Sequence, residues 1–238
     1  AVWGGQEASA APALEAWTPV ASLPIRMAGE LVHCPDMPDS FYLVSGIILN
    51  DVTTNRLYRY DISSDSWTGL ANMPKVLRAS ATACYQGKIY VAGGTDLGLI
   101  SQALLIYDIA GDTWSNGPDL PDPVVGAALG AWDNQLYLVG GSRIYYPWTP
   151  ESRVDNYDIA MGVWTASGGE QMPTAASFAS STQAGQYLYV VGGLSGNVVE
   201  DQYQNIDQTQ RYDLSTDTWE VGPTFTSARA LGKLAVTG

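Results

Sequence analysis

Short apolar stretches of strand length recur along the chain, each ending at Gly or Asp. The clearest example spans residues 88–114, where KIYVAGG is followed by a loop, by LLIYD and by IAGDTW. Alternating apolar and polar positions that stop at turn-forming residues are typical of β-strands. This stretch therefore predicts two strands, a tight turn and a third strand.

The same unit occurs three more times, at residues 41–67, 135–164 and 187–219. In every copy a Trp follows a Tyr by seven residues: Tyr60 and Trp67, Tyr107 and Trp114, Tyr157 and Trp164, Tyr212 and Trp219. Successive Trp residues of these pairs lie 47, 50 and 55 residues apart, which suits a four-stranded sheet.

A fourth strand is predicted ahead of each Gly-containing segment. Residues 78–85, 125–132 and 176–182 are rich in Ala, Ser and Gly, as expected for inner strands crowded around an axis. We label the strands of each unit A to D from the axis outward. One such sheet cannot bury both of its faces, so the copies are expected to stack in a ring.

These motifs resemble the kelch repeat of β-propellers. The resemblance rests on the Gly pairs, the Tyr-Asp pairs, the Trp residues and the dipeptides Met73-Pro74, Leu120-Pro121 and Met172-Pro173. It covers nearly the whole chain and implies an all-β, kelch-type propeller of four-stranded blades. It leaves the function open, because kelch propellers include oxidases, isomerases and plain binding modules.

Five Trp residues at the repeat position predict five blades in one domain over residues 1–238: Trp17, Trp67, Trp114, Trp164 and Trp219. The boundaries expected are 25–73, 74–121, 122–172 and 173–223, with a composite blade from 1–24 and 224–238. Residues 229–238 resemble the inner strand at 78–87, so they are expected to pair with the N-terminal segment and close the ring. The alternatives are a piece of a larger ring, or a strand donated to a neighbouring copy.

The chain is strongly acidic, with 24 Asp and Glu against 11 Lys and Arg, a net charge of −13 and a pI near 4.2. This charge repels phosphate backbones, so no nucleic-acid partner is expected. No apolar run has the length of a membrane span, and no membrane insertion is expected. The acidity fits either a need for solubility or an extracellular or cell-surface location, and we favour the second slightly.

Cys34 and Cys84 fall near the inner strands of neighbouring repeats. Counted from Arg26 and Arg78 they are offset by two residues, which favours two buried free thiols over a disulfide, although both remain open. His33 is the single histidine. A copper site like that of galactose oxidase, a kelch protein, needs two histidines and a Cys-linked Tyr, so that activity does not carry over. No metal or cofactor is expected.

Most carboxylates have an ordinary structural explanation. Asp61, Asp108, Asp158 and Asp213 share one repeat position and are expected to bind turn amides. The loop with Glu200, Asp201 and Asp207 lacks calcium-binding spacing, and we favour a solvated loop.

Arginines are the first candidate ligand-binding residues. Arg26, Arg78 and Arg229 align at the entry to strand A. In kelch adaptors of ubiquitin ligases, arginines at similar positions line the channel mouth and hold acidic peptides. The resemblance therefore implies a cationic rim that binds carboxylates. An equally weighted alternative is that these arginines tie down neighbouring loops.

The second candidate is the long B–C loop of the third repeat, with Arg143, Tyr145, Tyr146 and Trp148. Its aromatic rings either cover the blade or form a stacking platform for a sugar or a partner side chain. In the kelch family the B–C and D–A loops share one face, so this loop is expected near the arginine rim.

We therefore predict a non-catalytic module that binds a partner protein, an acidic peptide or a glycan on its loop face. One alternative is an enzyme resembling kelch sialic-acid isomerases, with arginines holding the substrate carboxylate. The scarcity of acid-base groups argues against it. A third possibility is a structural subunit of a surface assembly that exchanges strands with neighbouring domains or copies of itself.

Overall fold

The computed structural model describes residues 19–96, 98–144, 149–196 and 204–225. Within these ranges the chain forms four antiparallel, four-stranded sheets, each with its A, B, C and D strands in spatial order. This confirms the all-β propeller of four-stranded blades.

Strands are numbered in chain order. Blade 1 contains β1 (Met27–His33), β2 (Ser40–Ile48), β3 (Val52–Asp61) and β4 (Ser66–Gly69), with a short 3-10 turn at Leu49–Asp51. Blade 2 contains β5 (Ala81–Tyr85), β6 (Lys88–Ala92), β9 (Leu104–Asp108) and β10 (Thr113–Asn116), and its B–C connection forms the hairpin β7 (Thr95–Asp96) and β8 (Leu99–Ile100).

Blade 3 contains β11 (Ala128–Trp132), β12 (Gln135–Val139), β13 (Val154–Asp158) and β14 (Val163–Thr165). Blade 4 contains β15 (Ser180–Ala184), β16 (Tyr187–Val191), β19 (Thr209–Asp213) and β20 (Thr218–Val221), with the hairpin β17 (Leu194–Ser195) and β18 (Gln204–Asn205). The inner strand of blade 4 begins four residues later than the 176–182 segment predicted for it.

The seven-residue spacing has a direct structural meaning. In each C–D hairpin the Tyr pairs opposite the Trp, and the ring centroids lie 4.6–5.1 Å apart. The Asp that follows each Tyr closes the turn, as predicted. For example, Asp108 accepts the Gly111 amide at 2.7 Å, and Asp158 accepts the Met161 amide at 2.8 Å.

Three apolar clusters fill the seams between successive described blades. In the first seam, Tyr42 and Leu57 of blade 1 pack in one cluster with Ile89, Leu105 and Tyr107 of blade 2, all at most 1% exposed. Burying each such side chain contributes about 1.5–3 kcal/mol. In the second seam a glycine allows close packing, because a Cβ on Gly93 would lie 2.3 Å from the carbonyl oxygen of Val124, a residue of that seam's cluster.

A hydrogen-bonded clasp, the seam clasp, links a blade to the connection before it. In blade 2, Asp112 accepts the Tyr107 hydroxyl at 2.6 Å and the Ala71 amide at 2.8 Å. Trp114 donates its indole N–H to the Ala71 carbonyl oxygen at 2.8 Å. The same bonds recur in blade 1 (Ala21, Tyr60, Asp65, Trp67) and blade 4 (Glu170, Tyr212, Asp217, Trp219).

Cys34 and Cys84 form a disulfide between blades 1 and 2, with Cα atoms 5.1 Å apart. The expectation of two free thiols was therefore wrong. The offset counted from Arg26 and Arg78 is misleading, because Ala28 and not Arg26 takes the place of Arg78 in the ladders. In the ladders, His33 takes the place of Cys84, so the two cysteines differ by a single residue.

Candidate functional site

The B–C and D–A connections meet at one end of the propeller, which we call the loop end. Arg78, from a D–A connection, and Thr95, from a B–C connection, exchange two backbone hydrogen bonds of 3.0 and 2.9 Å. Equivalent bridges join Val125 to Ser142, and Ser177 to Leu194. The structure thus brings together the two loop sets from which the predicted site residues come.

A cavity of about 1160 Å³ runs along the inner strands of the described blades. Ile47, Arg78, Thr95, Gly126 and Phe178 line it at the loop end. Its other end is lined by Asp36, Gln86 and Gly185 of the A–B turns and by Trp132 at the end of β11. This central cavity is large enough for a peptide segment or a small ligand.

Among the described residues, Arg78 is the predicted cation that lines the central cavity. Its side chain is 24% exposed and donates from Nη1 to Asp51 Oδ1 at 3.0 Å. Asp51 is 75% exposed, so this pair is a surface ion pair worth about 0–1 kcal/mol. The guanidinium has five donor positions, so it can bind a further carboxylate beside Asp51 or in its place.

Arg26 does not take the same position as Arg78. In the ladders Arg78 pairs with Thr95, and the corresponding pair in blade 1 is Ala28 with Ile47. Arg26 therefore lies two residues earlier, at an exposed position just before β1, and it is not among the described residues that line the central cavity. Arg229 lies outside the described residues.

Arg143 occupies a buried ion network in blade 3. Its guanidinium binds Glu151 at 2.5 Å and Asp155 at 2.8 Å, and its side chain is 10% exposed. Arg153 binds the same Asp155 at 2.7 Å and Asp122 at 2.7 Å. Burial alone would lower the pKa of Arg153, but the two carboxylates outweigh it and raise that pKa above its ordinary value.

This network holds loops of blades 2 and 3 together. Asp155 is 1% exposed and also accepts the Ser167 amide at 2.8 Å. It stands where blade 2 has the buried Leu105. The Arg143 guanidinium thus binds carboxylates of the protein itself. Tyr145, Tyr146 and Trp148, predicted in the same loop, lie outside the described residues.

Comparison with known proteins agrees with this architecture. The family model of the Attractin/LZTR1 β-propeller matches residues 41–237. The chain belongs to this family. The match confirms the kelch-type propeller inferred from the repeats.

Among solved structures, this Attractin/LZTR1-type propeller is similar to one titled "Structure of YjhT". The TM-score is 0.67 and the sequence identity 17%, over 89% of this chain and 69% of that chain. At this identity the likeness shows the fold alone. No curated protein matches the chain in sequence.

Among the described residues, no group of three or more His, Cys, Asp or Glu side chains is placed to hold a metal ion. His33 lies at the end of β1 with its ring 5.2 Å from that of Phe41. Within the same residues, no helix is long and apolar enough to cross a membrane.

Two features of the site were missed by sequence reasoning. Asp65, Asp112 and Asp217 form the seam clasps, and their shared position two residues before each Trp could have revealed them. Phe178 is the other, an aromatic residue at the loop end of the central cavity. Its sequence neighbourhood, AASFASS, gives no signal for that position.

Proposed function

We propose that this propeller is a recognition module that binds an acidic peptide segment of a partner protein at the loop end of the central cavity, with Arg78 as the anchor. The observation that carries the proposal is the position of Arg78, a cavity-lining cation that forms an ion pair with the exposed carboxylate of Asp51. A partner carboxylate that replaces Asp51 loses little ion-pair energy and gains a site partly shielded from water.

The test is a selection from a phage-displayed random peptide library, followed by fluorescence anisotropy on the peptides recovered. The wild-type protein is expected to enrich Asp and Glu. Arg78→Ala is expected to weaken binding at least about tenfold, because a charge-assisted hydrogen bond contributes about 1.5–3 kcal/mol.

Arg56→Ala is the matched control. It removes the same charge at an exposed position that is not among the described cavity-lining residues. Equal loss of affinity in both variants would indicate a general charge effect and contradict the proposal, and so would recovery of peptides without acidic residues.

An acidic glycan and a sugar-acid substrate are the other ligands to be distinguished. The glycan hypothesis depends on Tyr145, Tyr146 and Trp148, outside the described residues, so the described ones favour a peptide. Titration with sialic acid in heavy water separates these cases. Binding without proton exchange indicates a glycan site, and exchange that is lost in Arg78→Ala indicates an isomerase.

We also propose that the ring is closed by a fifth blade built from residues 1–24 and 224–238, within one domain over 1–238. Support comes from the described residues at the start of the chain. Ala21 donates to Asp65 at 2.7 Å and accepts the Trp67 indole N–H at 3.0 Å, which is the seam clasp of a blade that precedes blade 1.

The face of blade 1 that is turned away from blade 2 supports the same closure. In its ladders, Phe41 takes the place of Ile89, and Tyr60 that of Tyr107. Both residues in blade 2 are fully buried in a seam, whereas both in blade 1 are partly exposed, and Leu31 beside them is 55% exposed. A neighbouring blade would cover this apolar face.

Size-exclusion chromatography with light scattering tests the closure. A monomer that unfolds in one transition supports the composite blade. A dimer or larger species that becomes monomeric when residues 226–238 are deleted supports strand exchange between copies instead.

We propose an extracellular or cell-surface location. The Cys34–Cys84 disulfide supports it, because such bonds form and persist mainly in oxidising compartments. Thiol alkylation of the protein from its native source is the test, and two free thiols there would contradict the proposal.

A further inference from the structure

Three residues at the loop end of the central cavity share one backbone conformation. Ala79, Gly126 and Phe178 occupy the same repeat position, and their φ angles are 52°, 65° and 53°. Hydrogen bonds connect them around the cavity: Gly126 donates to the Ala79 carbonyl oxygen at 2.9 Å, and Phe178 donates to that of Gly126 at 2.8 Å. Blades 2, 3 and 4 thus share a left-handed residue here, whereas Gly29, the corresponding residue at the register shift of blade 1, is not left-handed.

Phe is an unfavourable choice at such a position. Left-handed φ angles suit glycine, and a bulky side chain there is a genuine outlier. The fold holds Phe178 in place through its own bond to Gly126 and through the paired bonds between Ser177 and Leu194 of 3.0 and 2.8 Å. Strained residues of this kind cluster at functional sites.

The ring of Phe178 lies at the cavity wall. A Cβ placed on Gly126 would be 2.8 Å from Phe178 Cδ1, so the ring packs directly over that glycine. Phe178 lines the same cavity as Arg78 and is only partly buried. The loop end thus presents an aromatic surface and a cation to one space.

From these observations we infer that the ligand carries an apolar side chain next to its carboxylate. Phe178 forms the wall that receives the apolar group, and Arg78 binds the carboxylate. The inference rests on the proposed function and makes it specific: the preferred peptide has Asp or Glu beside an aromatic or large aliphatic residue.

The same phage-display selection tests this with two variants at one position. Phe178→Gly removes both the ring and the strain, whereas Phe178→Ala removes the ring and keeps the strain. Both are expected to go on enriching acidic residues and to lose the neighbouring apolar residue. Arg78→Ala is expected to lose the acidic residue.

Thermal unfolding gives a second readout. Phe178→Gly is expected to unfold about 2–4 °C above Phe178→Ala, as strain relief of roughly 1 kcal/mol would produce in a domain of this size. A midpoint for Phe178→Gly at or below that of Phe178→Ala would overturn the strain argument.

The outcomes separate the two proposals. Acidic peptides without an apolar neighbour on the wild-type protein would leave the proposed function standing and overturn this inference. An apolar preference retained by both Phe178 variants would also overturn it. Peptides without acidic residues would overturn the proposed function as well.

Discussion

Trp164 donates its indole N–H to the carbonyl oxygen of Pro118 at 3.2 Å, and this is the longest of the four equivalent bonds between described blades and the connections before them. At this seam the rest of the clasp is missing on both sides. Pro118 has no amide hydrogen to donate, and Gly162 stands where the other blades have the accepting Asp. This seam therefore lacks both partners of one hydrogen bond, the amide N–H that would donate and the carboxylate that would accept.

Restoring both partners should complete the clasp. Gly162→Asp is sterically acceptable, because Asp65, Asp112 and Asp217 adopt φ angles of 47–56° at this position and Gly162 has 70°. We expect Gly162→Asp combined with Pro118→Ala to show a favourable coupling of about 1 kcal/mol in a double-mutant cycle of urea unfolding. Strictly additive single effects would contradict a clasp formed by these two positions.

The buried ion network of blade 3 should be sensitive to loss of its centre. Asp155→Leu restores the residue type of blade 2 but leaves Arg143 and Arg153 without their shared carboxylate. We expect a loss of about 3–5 kcal/mol in the free energy of unfolding. Asp122→Asn is the control, because Asp122 is 47% exposed and its loss should cost about 0–1 kcal/mol. Similar losses in both would show that Asp155 is not the centre.

The disulfide should stabilise the first two blades. Its cysteines are 50 residues apart in sequence, and cross-linking a loop of this length contributes about 2–4 kcal/mol. We expect Cys34→Ser with Cys84→Ser to lose that amount in urea unfolding, and the wild-type protein to show no reactive thiol in denaturant without reductant. Unchanged stability in the variant would contradict this role.

High pH should destabilise the protein through its buried tyrosines. Burial, with Tyr157 and Tyr85 nearby, raises the pKa of Tyr90 to about 12, and the pKa of Tyr107 and of Tyr212 is raised by burial and by a hydrogen bond to an Asp. In the unfolded chain, tyrosine side chains ionise near pH 10. Stability is thus fully present below pH 10 and falls as pH rises toward 12.

Urea midpoints measured from pH 8 to 11 check this expectation. Tyr90→Phe should show a smaller decline above pH 10, because one of the contributing hydroxyls is gone. A decline of the same size in wild type and variant would contradict the role of Tyr90.

The fold was predictable because each blade repeats one pattern. The spacing of Tyr60 and Trp67 follows from the C–D hairpin, and the Asp that follows the Tyr from its turn. The candidate site was harder to predict. Arg26 lies two residues before the place of Arg78, and Cys34 lies one residue after that of Cys84. The register shift between Ala28 and Glu30 depends on how the strands pair, so the repeat spacing did not predict it.

Local exceptions to the repeat could not be predicted from the sequence either. Asp155 occupies a position that is apolar in blade 2, and its partners Arg143 and Arg153 are recognisable only once the loops are folded together. Phe178 is the only aromatic among the four described residues at its position, the others being Gly29, Ala79 and Gly126. Its left-handed backbone is held by a hydrogen bond to another blade.

The indole hydrogen bonds of Trp67, Trp114, Trp164 and Trp219 join residues that are 43 to 49 positions apart in the chain. A newly synthesised blade therefore finds its docking partner in the segment that left the ribosome just before it. We expect the described blades to assemble in order during translation, each on the surface of its predecessor. Little apolar surface would then stay exposed until a distant part of the chain is synthesised.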